Sequence, residues 1–368
     1  MKIFVSGTRG IPGIPGGVET HCKELYPRIA AASHEVYLAT RSPYVASSEK
    51  EWRGVMLLRC FAPRKKNLEA IVHTFIALLQ AIPLRPDVVH IHAIGPSLLA
   101  PLAKIMGAKV VITHHGPNYY HQKWGGFAKC VLRLGEIIGT FFADEVIAVS
   151  ETVRDGILQR RNRQSNLIRN GVVVPQKTDE ITFLNKMGIK RNSYLLAVGR
   201  YVPEKGLHDL IDAFQYLQTD HKLVIAGEAD HESDYSRKLR EAAANDERII
   251  LTGYITGKPL AQVYTHAALF VLPSYHEGLP IALLEAMSYG LSVLASDIPA
   301  NMEVGLSKNR YFRCGDVEHL KSKIELLLGK GLSETDKRAM VNMIQEKYDW
   351  DKIAEQTIEV YEKAMSDK

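Results

Sequence analysis

Cysteine is scarce in this chain. Cys22, Cys60, Cys130 and Cys314 are widely scattered, and no C-x-x-C pair occurs among them. That pattern excludes a disulfide framework and a zinc ribbon, and reads as reduced thiols in a reducing compartment. Long apolar runs are missing as well. No uncharged stretch reaches the ~18 residues that a membrane span needs. The start, MKIFVSG, offers Ile3, Phe4 and Val5 before Ser6, too short an apolar segment for a secretory signal. The expected location is cytoplasmic. Short-period repeats and low-complexity tails are also absent, which removes solenoids and disordered arrays.

What is present is length and an uneven charge. The 368 residues suffice for two domains. The net charge of +5 hides an asymmetry: residues 1–175 carry 22 basic and 12 acidic residues, whereas residues 176–368 carry 24 and 29. The basic half suits an anionic substrate or an anionic membrane face, or is simply a solvated surface. The basic clusters at 64–66 and 160–163 have no interleaved aromatic residues, so nucleic acid is not an expected partner.

Short apolar runs alternate with helical stretches. In the first half the runs are 2–6, 35–40, 55–60, 87–92, 109–114 and 145–150; in the second they are 194–199, 222–227, 248–253, 269–274 and 291–296. Strands apolar throughout are those of parallel sheets covered on both faces. The spacing predicts helices at 18–31, 67–82, 96–106, 127–140 and 151–159, then at 205–217, 233–245, 257–266, 279–289, 316–328, 334–347 and 350–365. Two such series predict an α/β chain of two doubly wound, Rossmann-like domains facing across a cleft. Asn170-Gly171 and Pro175 mark the join. The expected division is 1–172 and 173–349, with helix 350–368 packing back on the first domain.

In doubly wound folds ligands gather at the carboxyl ends of the strands, which selects a few loops. SGTRGIPGIPGGVET (6–20) is glycine-rich and opens a helix, but it lacks G-x-G-x-x-G, so it fits a phosphate or acceptor loop better than a dinucleotide site. GRYVPEKG (199–206) sends Arg200 and Lys205 from one loop, as a diphosphate clamp would, although ordinary surface cations look the same. PSYHEGLPIALLEAM (273–287) places Glu277 before a helix start and Glu285 inside an apolar run. Pro280 suits the first helical turn, and the amides of Gly278 and Leu279 could meet an anion. Glu277 could accept from sugar hydroxyls or cap the helix. Glu285 could take the two hydroxyls of a ribose or form a buried ion pair.

Taken together these residues resemble family four of the retaining glycosyltransferases, of GT-B architecture, over nearly the whole chain. Glu277 and Glu285 meet the E-x7-E motif, and Gly199, Arg200, Lys205 and Gly206 meet the GR…KG element. Gly16, Gly17 and Glu19 match the first glycine loop, and Thr113, His115 and Gly116 the T-x-H-G element. AVSE (148–151), RNGV (169–172) and the final helix fit as well. The resemblance implies that Arg200 and Lys205 hold the diphosphate, Glu277 the transferred sugar and Glu285 the ribose. It implies that Gly253 and Tyr254 meet the base, Gly17 the phosphate, and His115 the transferred sugar. Glu228-Ala229 after IAG and IPANME after LASD depart from the family's glycines, in loops that touch base or sugar.

The expected function is transfer, with retention, of a hexose-type sugar from a nucleoside-diphosphate sugar, UDP ahead of GDP. The acceptor would be a saccharide or a lipid-linked molecule in cell-surface glycan synthesis. An epimerase or hydrolase on the same scaffold, or a non-catalytic nucleotide-sugar sensor, are the alternatives. No cofactor and no metal are expected. Asp349-Trp350-Asp351 has D-x-D form but stands where a helix cap would. His90, His92, His114, His115 and His121 read as core or cleft histidines rather than zinc ligands. Arg59, Arg64, Lys65 and Lys66 before the apolar helix suggest a peripheral contact with an anionic membrane.

Overall fold

A computed structural model describes residues 1–46, 48–63, 69–117, 119, 125–229 and 232–366. The chain forms two compact units, Met1–Gly171 with Trp350–Lys368, and Val172–Asp349.

The first unit holds β1 (Lys2–Ser6), β2 (Glu35–Arg41), β3 (Glu51–Trp52), β4 (Val55–Cys60), β5 (Val88–His92), β6 (Lys109–His114), β7 (Glu145–Ala148) and β8 (Asn166–Leu167). Their order in the sheet is β3-β4-β2-β1-β5-β6-β7-β8, parallel except for the edge pair β3–β4. The register is regular where the ligand ends lie: Val5 pairs with His90 and Ser6 with Ile91, and His92 pairs with Thr113. Phe4, Val5, Val89 and Ile91 are fully buried, as a parallel sheet covered on both faces requires. Helix Gly17–Ala31 packs on this sheet together with the last helix, Trp350–Ser366; Leu25, Tyr26 and Ile29 meet Trp350, Ile353 and Tyr361 in one apolar cluster.

The second unit holds β9 (Tyr194–Val198), β10 (Lys222–Ala226), β11 (Ile249–Gly253), β12 (Leu269–Leu272), β13 (Val293–Ser296) and β14 (Tyr311–Phe312), ordered β11-β10-β9-β12-β13-β14. All its pairings are parallel. Counted from its own first strand this is the 3-2-1-4-5-6 Rossmann order. Leu207, Leu210, Ile211 and Phe214 of one helix and Leu320 and Ile324 of another fill the layer beneath it.

Each apolar run read as a strand is a strand. Helix boundaries shift where glycine or proline intervenes. The stretch 205–217 is a short 3-10 turn, Pro203–Lys205, then Gly206 in the left-handed region, then helix Leu207–Gln215. The stretch 96–106 divides into a 3-10 turn, Pro96–Leu99, and helix Ala100–Ile105. The helix expected from 279 begins at Ile281, with Pro280 outside it at ψ 74° as the cap. Among the described residues no helix is long and apolar enough to cross a membrane.

Candidate functional site

Strand order creates the site in the second unit. The strand order reverses at β9/β12, the switch point beyond whose carboxyl ends doubly wound folds bind ligands, and the loops leaving these two strands meet there. The loop after β9 carries Arg200 and Lys205; the loop after β12 carries Ser274, Glu277 and Gly278. Lys205 Nζ donates to Glu277 Oε1 at 2.6 Å, and Ser274 Oγ donates to the same oxygen at 2.6 Å. Both bonds fall on Oε1, which leaves Oε2 to accept from a ligand. The Glu277 side chain is only 9% exposed and that of Lys205 20%, so the pair is well shielded from water. The two loops are also stitched by backbone, because Tyr275 N donates to the Glu204 carbonyl at 2.9 Å. Tyr275 OH donates to Asp209 Oδ2 at 2.6 Å, anchoring the second loop to helix Leu207–Gln215.

Glycines make this closeness possible. Gly206 has φ +62°, and a side chain there would run into the Pro273 carbonyl. Gly227, at the end of β10, would drive a Cβ into the Gly199 carbonyl. Gly199 N donates to Ala226 O and Gly227 N to Gly253 O, each at 3.0 Å, so three strand ends meet around bare backbone. Gly253 is half-buried and Tyr254 is 46% exposed beside it.

Glu285 lies on helix Ile281–Ser288, half-buried, and accepts from Tyr264 OH at 2.9 Å. Tyr264 is buried and stacks on Tyr289, with ring centroids 5.1 Å apart. Burial, then the adjacent carboxylate, pushes the Tyr264 phenol well above its ordinary range, so it stays a donor. Leu279 is buried, while Gly278 is half-buried at the loop.

In the first unit the equivalent switch point lies between β1 and β5. Gly16 caps helix Gly17–Ala31, and Gly17 is exposed at its start. Glu19 turns inward. Its Oε1 accepts from Arg9 N at 3.1 Å, Arg9 Nε at 3.2 Å and Thr8 Oγ1 at 3.4 Å. Arg9 also donates to the Pro15 carbonyl. The Glu19 carboxylate thus ties the long loop back on itself.

His115 follows β6 and is joined to a set of rings that spacing alone did not assemble. His92 Nδ1 and His115 Nε2 are 3.0 Å apart, and His21 from helix Gly17–Ala31 lies against both, with centroids 5.2 and 5.1 Å away. Burial, aided by neighbouring imidazoles, drives the His92 and His115 pKa values well below the ordinary histidine range. Both rings are therefore neutral at neutral pH. His114 points elsewhere, to Glu136 at 3.1 Å. Arg160 and Arg161 reach the same carboxylate at 2.9 and 3.1 Å, and Tyr119 OH at 3.0 Å. His121, Arg64, Lys65 and Lys66 lie outside the described residues.

Sequence reasoning missed Ser274, Tyr264, Asp209 and His21. A hydroxyl three residues before Glu277 and a histidine four after Gly17 were visible signals, but their partners lie on other strands and helices.

A doubly wound fold with a shielded cation–carboxylate pair at its switch point defines the class, and comparison supplies the family. Residues 179–359 match the model of glycosyl transferases group 1, and residues 15–174 that of glycosyltransferase family 4. The two models together span nearly the whole chain, which belongs to the family 4 glycosyltransferases, of GT-B architecture. It is similar to an uncharacterized glycosyltransferase of Methanocaldococcus jannaschii, 25% identical over 99% of each chain. It is also similar to the alpha-maltose-1-phosphate synthase of Mycolicibacterium smegmatis, 26% identical over 99% of each. Among solved structures, sucrose-phosphate synthase from Thermosynechococcus elongatus matches with a TM-score of 0.86 at 19% identity over 100% of both chains. Anabaena HepE in complex with UDP-glucose matches at 0.79 and 19% identity, over 98% of this chain and 99% of that one. At such identities these structures speak for the fold.

Proposed function

We propose that this glycosyltransferase moves a hexose-type sugar from a nucleoside-diphosphate sugar, UDP ahead of GDP, to a saccharide or lipid-linked acceptor in cell-surface glycan synthesis, with retention at the anomeric carbon. The observation that carries the reading is the Lys205–Glu277 pair with Ser274 at the β9/β12 switch point. As the glycosidic bond breaks, negative charge grows on the departing diphosphate. Arg200 and Lys205, held in one loop, stabilise it in a shielded site where such charges count for more than in water. Glu277, with Oε1 fixed, turns Oε2 toward the sugar hydroxyls. Glu285 takes the ribose diol while Tyr264 holds its other side. Gly253 and Tyr254 meet the base, and the Gly278 and Leu279 amides an anionic oxygen. In the first unit Gly16, Gly17 and Glu19 bind substrate, Gly17 at the phosphate, and His115 serves the transferred sugar. HepE was solved with UDP-glucose, which supports a UDP-sugar here.

The test is a thermal-shift panel of UDP, GDP and ADP with their common sugars, followed by turnover with saccharide and lipid-linked acceptors. A bound donor must raise stability. Product joined to an acceptor supports transfer; a free altered sugar supports the epimerase or hydrolase, and binding without turnover the sensor.

Contact with an anionic membrane remains part of the proposal. Phe75 and Leu79 on helix Glu69–Ala81, and Phe127, Leu134, Ile137 and Phe141 on helix Gly126–Phe142, are exposed, with Lys129 and Arg133 on the latter. An amphipathic helix of this kind suits the interface. Co-sedimentation with anionic but not neutral vesicles checks it.

A further inference from the structure

Helix Gly17–Ala31, β5 and β6 each deliver one histidine to a single point in the first unit. The ligand-capable nitrogens of His21, His92 and His115 all lie within 4.8 Å of one another. His21 is 2% exposed, and its Nε2 is buried with no hydrogen-bond partner. Its other nitrogen, Nδ1, is 2.7 Å from Asn170 Oδ1. An amide oxygen can only accept, so Nδ1 carries the proton and Nε2 holds the lone pair. A buried lone pair without a donor is costly, and the one at His21 Nε2 has no partner in this structure.

The other two rings share a hydrogen bond in this structure, between His92 Nδ1 and His115 Nε2 at 3.0 Å, and an ion would take the place of its proton. His92 Nε2 is 2.5 Å from Tyr26 OH. With Nε2–H donating to the Tyr26 oxygen, His92 Nδ1 presents a lone pair to the cluster. Tyr26 OH can in turn donate to His90 Nδ1, 3.0 Å away, which Tyr361 OH also approaches at 2.7 Å. His115 Nε2 then needs only the tautomer with its proton on Nδ1. Two nitrogens bound at 2.0–2.1 Å to a tetrahedral ion stand about 3.3 Å apart; His92 Nδ1 and His115 Nε2 stand at 3.0 Å. Asn170 and Tyr26 are outer partners of the kind that orient imidazole ligands on metals.

We propose that His21 Nε2, His92 Nδ1 and His115 Nε2 form a site for a borderline divalent transition cation of the zinc class, with a fourth position open to water or a small ligand. Three neutral imidazoles suit zinc, cobalt, nickel or copper and disfavour magnesium and calcium, which want oxygen. An ion here would fasten the helix behind the glycine loop to the ends of β5 and β6. This inference stands on the cluster and not on the proposed transfer reaction.

The experiment uses the full chain, stripped with EDTA, desalted and titrated with cobalt(II) while visible absorption and heat are followed. The expected result is one equivalent bound with an intense tetrahedral band that zinc abolishes by displacement. His21→Phe, which keeps the ring but loses the ligand, should weaken binding at least about 100-fold, and Asn170→Ala about 10-fold by freeing the His21 tautomer. His208→Ala, in the second unit, should bind as the wild type does. No tetrahedral band in the wild type overturns the proposal. So does unchanged cobalt affinity in Asn170→Ala, or in a His21→Phe protein that melts like the wild type.

Discussion

Lys205 Nζ lies 2.6 Å from Glu277 Oε1 across 72 residues of sequence, and Ser274 Oγ shares the same oxygen. One cation therefore faces two tasks in the proposed reaction: it holds the carboxylate in place and meets the leaving diphosphate. Lys205→Ala and Arg200→Ala should each cut turnover about 10- to 150-fold, the equivalent of one lost charge-assisted contact of about 1.5–3 kcal/mol. Because Lys205 also tethers Glu277, Lys205→Ala and Glu277→Gln should be non-additive, with a coupling above about 0.5 kcal/mol in a double-mutant cycle on turnover. Wild-type rates in the single variants, or strict additivity in the double, would remove the pair from the mechanism.

The two carboxylates should separate by ligand. Glu285→Gln keeps an oxygen that can accept from Tyr264 OH, so the empty protein should melt nearly unchanged. Affinity for the bare nucleoside diphosphate should fall, because the ribose loses an ionised acceptor worth about 1.5–3 kcal/mol. Glu277→Gln should bind the bare nucleotide normally and transfer poorly. Calorimetry on both variants decides. A Glu285→Gln protein that melts several degrees lower when empty, yet binds nucleotide as before, would falsify the ribose assignment and leave Glu285 a structural partner of Tyr264.

Turnover should not require an added metal. The D-x-D at 349–351 is a helix start, and Asp351 Oδ1 already accepts from Arg28 Nε at 2.7 Å. Activity should survive EDTA, with no gain from magnesium or manganese; abolition by EDTA with rescue by either ion would contradict this. The ion proposed for the histidine site is given no step in transfer.

Glu136 should give the first unit an acid-sensitive stability. Burial alone would raise its pKa, but hydrogen bonds and charge from His114 and Arg160 outweigh burial and hold it well below the usual carboxylate range. A depressed folded-state pKa means stability that is fully present above the ordinary value of about 4.5 and lost as pH falls beneath it. Glu136→Gln should lower the melting temperature at pH 7 by an amount equivalent to about 1–3 kcal/mol. It should also flatten the fall in melting temperature below pH ~4.5. Parallel acid limbs in variant and wild type would show that Glu136 is not the group responsible.

The sequence by itself determined the longer elements and the architecture, but not the two-residue strands β3, β8 and β14. Runs such as KIFVS and KLVIAG are apolar throughout because their strands are covered on both faces, and that signal is local. It also determined which loops carry unusual chemistry, since Glu277, Glu285, Arg200 and Lys205 are ill-suited to their apolar or glycine-rich surroundings. Only the tertiary structure decided what each side chain faces. Periodicity records how far a residue is buried, but it carries no record of partners on distant strands. The strand order places the loops after β9 and β12 side by side, and so joins Lys205 to Glu277. The inward turn of Glu19 onto Arg9, the tie of Glu285 to Tyr264, and the meeting of His21 with His92 and His115 all depend on such long-range packing. Helix ends shifted for a related reason: Gly206 and Pro280 end or delay a helix through backbone angles that the chain adopts only once its neighbours are in place.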